Sequence, residues 1–426
     1  MKPFTKTALF AATTFLLAGC FGAAPHTSGE QHVKNVIFMV PDGMGLADVT
    51  AARNYRYGTG GGVLSFEHLP FVAYQQTYSL DSLVTDSAAA SSAWASGEKF
   101  PNGAISCMDL SPADGVCDGS RKHPRTLLEQ AKDAGKSTGL VVTSDITHAT
   151  PAAWGAHAPH RKCETAIFQN YLENRIDVML GGGIATNRGP CKLAPTTPEE
   201  NQALVEKAQG MGYRLVQDKE ALAAASAEGR LLGLFKEGGL TPVYLRGPEN
   251  SEPTLPEMVT AALTRLEQNP KGFLLLIEGS QVDWGNHNND IKWQIGETLA
   301  FADAFSAVKR WMEAKPGRDR ETLVIIVADH ETGGFAVNGP KGRYAKAGDT
   351  DVPYRYKGCT YESDQCEVHE NIRDEAGNVV MSPDLEPAWT SPKHTAVDTI
   401  IWSNQPNIIG VRENTALFGV IQKAMR

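Results

Sequence analysis

Three apolar runs that each end in a carboxylate constrain this chain more than any other feature. They are Val36-Ile37-Phe38-Met39-Val40-Pro41-Asp42, Phe273-Leu274-Leu275-Leu276-Ile277-Glu278 and Leu323-Val324-Ile325-Ile326-Val327-Ala328-Asp329-His330. Continuously apolar runs of this kind read as strands buried on both faces, which implies a largely parallel sheet covered by helices. Ligands of such sheets sit just beyond the carboxyl ends of the strands. Three acids delivered to one edge repel each other unless positive charge lies between them, and bound divalent cations are its simplest source.

Helix and strand patterns alternate around these runs. Helices are expected over residues 46–57, 87–95, 126–134 and 164–174, and strands over 71–78, 140–143 and 177–180. Asp86-Ser87 supplies N-cap chemistry for the second helix, and Gly135 closes the third. The alternation predicts one α/β domain over residues 34–426, doubly wound, with helices on both faces of its sheet. Two stretches interrupt it. Residues 188–270 hold extra helices and weaker strand patterns. Residues 338–390 are rich in Gly, Pro, Tyr and charge, and read as a surface insertion, a small cap or crown. A last strand is expected at 398–402 and a closing helix at 413–425.

With 426 residues, 42% of them hydrophobic, the chain can bury a sizeable core. Its net charge of -9, with no long basic run, argues against nucleic-acid recognition built on phosphate neutralisation. Residues 1–19 read as an address. Lys2 and Lys6 precede an apolar stretch too short to span a bilayer, and Leu17-Ala18-Gly19-Cys20 closes it. This resembles a bacterial lipoprotein signal, with cleavage before Cys20, lipid on that residue and a tether over residues 20–33. The alternative is an ordinary secretory signal that contains a cysteine. Either way the protein is expected to be exported; the lipoprotein form would be anchored to a bacterial membrane, facing the periplasm or the exterior.

Seven cysteines are present, and setting Cys20 aside leaves an even number. An oxidising compartment then favours disulfides, and pairing neighbours gives Cys107–Cys117, Cys163–Cys191 and Cys359–Cys366. Free thiols are the alternative. No CxxC pair points to zinc–thiolate ligation.

Several residues carry possible chemistry. Asp329-His330 ends a buried strand, and Thr332-Gly333-Gly334 lets the backbone turn there. Asp283 and His287 are spaced to share one face of a helical turn. Carboxylate oxygen and imidazole nitrogen are ligands that zinc takes in hydrolytic sites, and His394 could add an imidazole from a distant part of the chain. Ser87 opens a helix, where unpaired backbone N–H groups favour an anion and flanking alanines leave room. No Gly-x-Ser-x-Gly elbow surrounds it, so it either merely caps the helix or is activated by a metal. Thr150, just before Pro151, could face a hard cation such as magnesium. Arg161 offers a planar fork for two phosphate oxygens. Taken alone, each of the last two reads better as a solvated loop residue.

Taken in order, the motifs are similar to those of the alkaline phosphatase family. They are Pro41-Asp42-Gly43-Met44-Gly45, Thr85-Asp86-Ser87-Ala88-Ala89, His148-Ala149-Thr150-Pro151, Arg161-Lys162-Cys163, Leu180-Gly181-Gly182-Gly183, Glu278-Gly279-Ser280, Asp283 with His287, Ala328-Asp329-His330-Glu331-Thr332-Gly333-Gly334 and Lys393-His394-Thr395. The resemblance implies hydrolysis of small phosphate monoesters through a phosphoserine. It implies two zinc ions, one held by Asp283, His287 and His394, the other by Asp42, Asp329 and His330. It further implies a magnesium held by Asp42, Thr150 and Glu278, with Ser87 as nucleophile and Arg161 as phosphate clamp. Homodimers are common in the family, so a homodimer is expected.

The chain departs from one well-known bacterial pattern of the family at two positions. His148 stands where that pattern has Asp, and Trp284 where it has Lys. The His/Trp combination also occurs within the family. An imidazole does not hold magnesium-bound waters as a carboxylate does, which leaves the third metal's identity open and could invite zinc. Trp284 either shapes the pocket mouth or packs at the surface. The alternative functions are a phosphodiesterase or sulfatase on the same fold, or a non-catalytic phosphate- or metal-binding lipoprotein.

Overall fold

The computed structural model describes residues 33–58, 61–109, 117, 123–187, 191, 196–338, 358–359, 366–367, 386–406 and 408–426. The expected signal, Cys20 and all but the end of the tether lie outside the described residues, as does most of the expected insertion.

Eight strands are introduced in chain order: β1 Asn35–Pro41, β2 Phe71–Gln76, β3 Ser137–Val142, β4 Val178–Gly181, β5 Tyr213–Val216, β6 Arg230–Leu234, β7 Phe273–Gly279 and β8 Thr322–Val327. With Thr399–Ser403 and Gly410–Glu413 they form a ten-stranded sheet. Its order is Gly410–Glu413, β2, Thr399–Ser403, β8, β1, β7, β3, β4, β6, β5. Only Thr399–Ser403 runs antiparallel to its neighbours, β2 and β8. The three apolar runs are the adjacent central strands β8, β1 and β7. Their parallel register sets Val36 opposite both Leu323 and Leu274, and Val40 opposite Glu278. Aligned starts and similar lengths bring Asp42, Glu278 and Asp329 to the same sheet edge.

The helices are α1 Leu46–Tyr57, α2 Ser87–Ser96, α3 Leu127–Asp133, α4 Ala149–Gly155, α5 Glu164–Glu173, α6 Pro198–Gly210, α7 Lys219–Ala223, α8 Leu255–Leu266, α9 Gln281–His287, α10 Ile291–Glu313 and α11 Ala416–Met425. Strand side chains alternate between faces, and β1 serves two cores accordingly. Val36, Phe38 and Val40 pack in one cluster with residues of α2, α4, α5 and α11. Ile37 and Met39 pack in the other with residues of α1, α8 and α10. Phe38 lies 5.1 Å from the Trp94 ring and 5.0 Å from the Trp154 ring, centroid to centroid. Truncating such a buried aromatic to alanine costs about 3–5 kcal/mol. It would loosen α2 and α4, which carry Ser87 and Thr150.

The structure corrects two expectations. Residues 188–270 do not interrupt the sheet: β5 and β6 continue it in parallel at one edge. Their patterns are weak because they are short and only partly buried. The closing helix starts at Ala416, not at Glu413, which instead ends the exposed edge strand Gly410–Glu413. Cys107–Cys117 and Cys163–Cys191 are disulfides. The Cys359–Cys366 side chains lie outside the described residues, although the backbone sets these two positions opposite each other. Among the described residues no helix is long and apolar enough to cross a membrane.

Candidate metal centre

Each expected site residue reaches the carboxyl edge of the sheet by a local cause. Asp42 follows β1 directly, and the chain turns at Gly43, where φ is 73°. A Cβ on Gly43 would lie 2.7 Å from the Asp283 backbone, so only glycine lets β1 and α9 approach this closely. The Gly43 amide donates to Asp329 Oδ1 (3.0 Å), tying two of the acids together. Glu278 is the penultimate residue of β7, and its Oε2 accepts from Ser280 Oγ (2.7 Å). α9 follows and carries Asp283 and His287. The bridge His394–Thr395 pairs antiparallel with Glu331–Thr332, which brings His394 beside His330.

The imidazoles face inward. His287 Nδ1 donates to the Pro392 carbonyl (2.7 Å) and His394 Nδ1 to the Thr85 carbonyl (2.9 Å). His330 Nδ1 lies 3.2 Å from Thr332 Oγ1, whose hydroxyl donates to Asp283 Oδ1 (2.5 Å). A carbonyl oxygen can only accept, so Nδ1 of His287 and of His394 carries a hydrogen, and Nε2 is the nitrogen left to bind a metal; without one, His287 Nε2 carries a proton toward Asp283. Metal-binding histidines are oriented in this way. These Nε2 atoms converge on carboxylates. His287 Nε2 is 3.3 Å from Asp283 Oδ2 and 3.2 Å from His394 Nε2. His394 Nε2 is 3.5 Å from Asp283 Oδ1, and His330 Nε2 is 3.1 Å from Asp329 Oδ2 and 3.8 Å from Asp42 Oδ1.

Among the described residues, three groups of potential ligand atoms at this edge each fall within 4.8 Å: Asp42, Asp329 and His330; Asp283, His330 and His394; and Asp42, His148 and Glu278. These groups overlap the expected sets without reproducing them: neither His287 nor Thr150 belongs to one. His330 borders both imidazole groups, and His148 stands with Asp42 and Glu278. Both Asp42 oxygens, Glu278 Oε1 and Thr150 Oγ1 are buried and accept no hydrogen bond from the described residues. Orphaned hard oxygens of this kind fit a dication and cost free energy without one.

Titration behaviour divides the acids: Asp42 and Glu278 are raised, whereas Asp283 and Asp329, each beside imidazole, are lowered despite burial. Burial, then the charges of Asp329, Asp283 and Glu278, raise the Asp42 carboxyl well above its usual range. Burial pushes Glu278 up to about 7. Burial also opposes ionisation of Asp283, yet the hydrogen bond from His287 and the nearby imidazoles hold its carboxyl low. His287 is correspondingly raised to about 9 by its bond to Asp283. Burial and then His330 depress His394 to about 4.

Ser87 opens α2 with its Oγ 3.3 Å from His330 Nε2. Asp86 caps the same helix by accepting from the Ala89 amide (3.0 Å) and also accepts from Arg161 Nη1 (3.0 Å). One carboxylate thus fixes both the start of the helix that Ser87 opens and the Arg161 guanidinium. Sequence reasoning took Asp86 only as a cap; its sequence separation of 75 from Arg161 hides the second role. Arg161 is further held by its own amide, which donates to the Gly103 carbonyl (2.7 Å), and sits near the Cys163–Cys191 disulfide. Arg161 Nη2 lies 3.0 Å from His148 Nε2. Burial, then Arg161, keep His148 well below the usual imidazole range and so neutral. Trp284 is packed: it meets His148 and Trp293 edge to face, with centroids 6.0 and 6.4 Å apart. A Cβ on Gly239 would lie 2.5 Å from its indole.

A family model described as alkaline phosphatase matches residues 33–426. The chain belongs to the alkaline phosphatase family. Alkaline phosphatase 4 of Bacillus subtilis is 37% identical over 80% of this chain and 73% of that protein. The alkaline phosphatase of Escherichia coli is 33% identical over 93% of this chain and 87% of its own length. Among solved structures, the Thermus thermophilus alkaline phosphatase superposes with a TM-score of 0.72 at 26% identity, covering 95% of each chain. Membership makes this chain an enzyme, a phosphoric monoester hydrolase of a metal-dependent family.

Proposed function

We propose that this alkaline phosphatase hydrolyses small phosphate monoesters through a phosphoserine at Ser87. The observation that carries the proposal is the placing of Ser87 Oγ 3.3 Å from Nε2 of His330, a member of two of the ligand groups, with Asp86 bonded both to the start of α2 and to Arg161. Asp283, His287 and His394 would hold one zinc, and Asp42, Asp329 and His330 a second. Asp42, Thr150 and Glu278 would hold magnesium, although neutral His148 at that site would also accept zinc. Bound dications there would supply Lewis acidity, easing deprotonation of the serine and of water and offsetting charge on the leaving oxygen.

The side chains perform the rest. The N-terminus of α2 aims backbone N–H groups toward an incoming phosphate. Arg161 donates to two non-bridging oxygens and orients the ester for in-line attack by Ser87 Oγ. The phosphorus–oxygen bond to the alcohol breaks as the Ser87–phosphorus bond forms. Water then attacks the phosphoserine, releasing inorganic phosphate and restoring Ser87. A dianionic monoester suits a centre gathered around several cations better than a diester monoanion does.

The test compares a chromogenic phosphate monoester, a phosphate diester and a sulfate ester on one preparation supplied with zinc and magnesium. Fastest turnover is expected for the monoester. A faster diester or sulfate would transfer the proposal to those reactions. No turnover of any ester would favour a binding protein.

Export also belongs to the proposal. The two disulfides support an oxidising compartment. A signal over residues 1–19, lipid on Cys20, a tether to residue 33 and a catalytic domain over 34–426 with its insertion complete the proposed organisation. Mass spectrometry of the mature amino terminus tests the lipid. Sedimentation velocity at two concentrations tests the homodimer.

A further inference from the structure

One fully buried carboxylate close to the centre has no part in the chemistry proposed above. Asp48 lies in the first turn of α1, shortly after Asp42. Its Oδ2 accepts from the Gly45 amide (2.6 Å). Its Oδ1 accepts from Asn286 Nδ2 (2.9 Å) and Gln294 Nε2 (2.6 Å). A helix cap needs only the first of these bonds and is normally left in water. Burial pushes this carboxyl up to about 7, a cost that the two long-range donors offset in part.

The Asn286 bond is the informative one. Asn286 sits in α9 between Asp283 and His287, and α9 is only 7 residues long. Its Oδ1 accepts from Trp389 Nε1 (2.9 Å). Trp389 covers Gly333, where a Cβ would lie 2.6 Å from the indole. The Gly333 amide in turn donates to the Lys393 carbonyl (2.8 Å), immediately before His394. A continuous chain of contacts therefore runs from Asp48 through Asn286 and Trp389 to the residue preceding His394. It links the loop after Asp42, the helix bearing Asp283 and His287, and the segment bearing His394.

We propose that Asp48, acting through Asn286, is a positioning residue that sets Asp283, His287 and His394 at metal-binding separation. This rests on the metal reading of the centre given above. Gln294 shares the same carboxylate but belongs to α10, which carries no proposed ligand, so it serves as a control.

The test titrates zinc into the metal-stripped full-length chain against a chromogenic chelator and resolves the zinc equivalents. Disturbing a residue that orients ligands typically costs about 10–100-fold in metal affinity. Asn286→Ala is expected to weaken one equivalent by that order and leave the other within about threefold of wild type. Gln294→Ala is expected to leave both unchanged, and Asp48→Asn to weaken the same equivalent as Asn286→Ala. If Asp48→Asn does not fold, the Asn286 and Gln294 variants still decide the matter. Unchanged affinities in Asn286→Ala, equal weakening of both equivalents, or the same loss in Gln294→Ala would overturn the proposal. Failure of the wild type itself to bind zinc would instead overturn the metal reading, a separate result.

Discussion

Asp42, Glu278 and Asp329 leave the ends of three adjacent parallel strands, whereas Asp283, His287 and His394 come from a 7-residue helix and a 2-residue bridge. The inner set is sealed: the side chains of Asp42, Asp329 and His330 are 0% exposed. In the outer set the His287 side chain is 35% exposed. Electrostatics differ in the same direction. Burial, helped by neighbouring acids, makes Asp42 and Glu278 titrate high, while against burial imidazoles hold Asp283 low and, within the inner set, His330 does the same for Asp329. A central sheet can hold groups that repel, because strand register and two packed cores fix them before any ion arrives. A short helix and a bridge instead need mutually attractive side chains and outside anchors. The inner half is therefore expected to tolerate change poorly, and the outer half to respond to metal supply.

The largest expected effect is at Asp42, which borders two inner groups at once. Asp42→Ala should lower kcat/KM by about 10³ or more, since lost metal charge stabilisation is worth several kcal/mol, and excess zinc should not restore it. Recovery on adding zinc would erase the distinction between the halves. Next comes Arg161→Ala, expected to cost about 10²–10³ in kcat/KM as one preorganised contact to the transition state is lost. A loss below about threefold would remove Arg161 from the clamp role.

His287→Ala tests the outer half. Its loss should be about 10–100-fold at limiting zinc and should shrink as zinc is raised, because fewer ligands weaken affinity without abolishing the site. A zinc-independent loss as large as that of Asp42→Ala would mean that the halves are equally rigid.

The smallest effect is on stability. Asp42 and Glu278 both have folded carboxyls raised above their unfolded values, Glu278 from 4.5 to about 7. The folded chain then binds more protons than the unfolded chain in this window, so stability falls as pH rises. Metal-free protein should have this contribution in full near pH 4 and lose it as pH rises through about 7, a Tm shift on the order of a few degrees. Asp283, whose carboxyl is held low, works in the opposite sense: its contribution is present above the unfolded value of 3.8 and is lost on acidification. Glu278→Gln should flatten the fall between pH about 5 and 8. An unchanged slope in that variant would show that the buried Glu278 carboxyl is not its source.

The halves also differ in how far the sequence foretold them. β1, β7 and β8 were legible because strands buried on both faces are written as unbroken apolar runs, and their terminal acids followed. The Asp283–His287 pair was legible from helical spacing. His394 was placed by resemblance, because no local pattern shows that a bridge to Glu331–Thr332 carries it inward. β5 and β6 were missed as members of the sheet, since short, partly exposed edge strands lack that pattern. Asp86 was seen as a cap but not as the partner of Arg161. Asp48 carried no visible mark, because its donors lie 238 and 246 residues away.

The most direct test traps phosphate on the chain. Full-length protein, metal-loaded or exhaustively stripped, is mixed with a phosphate monoester, quenched in acid and digested, and the peptide containing Ser87 is weighed by mass spectrometry. A phosphorylated Ser87 peptide is expected from the loaded protein and none from the stripped protein. Full turnover by the stripped protein, or phosphate trapped on a residue other than Ser87, would contradict the account.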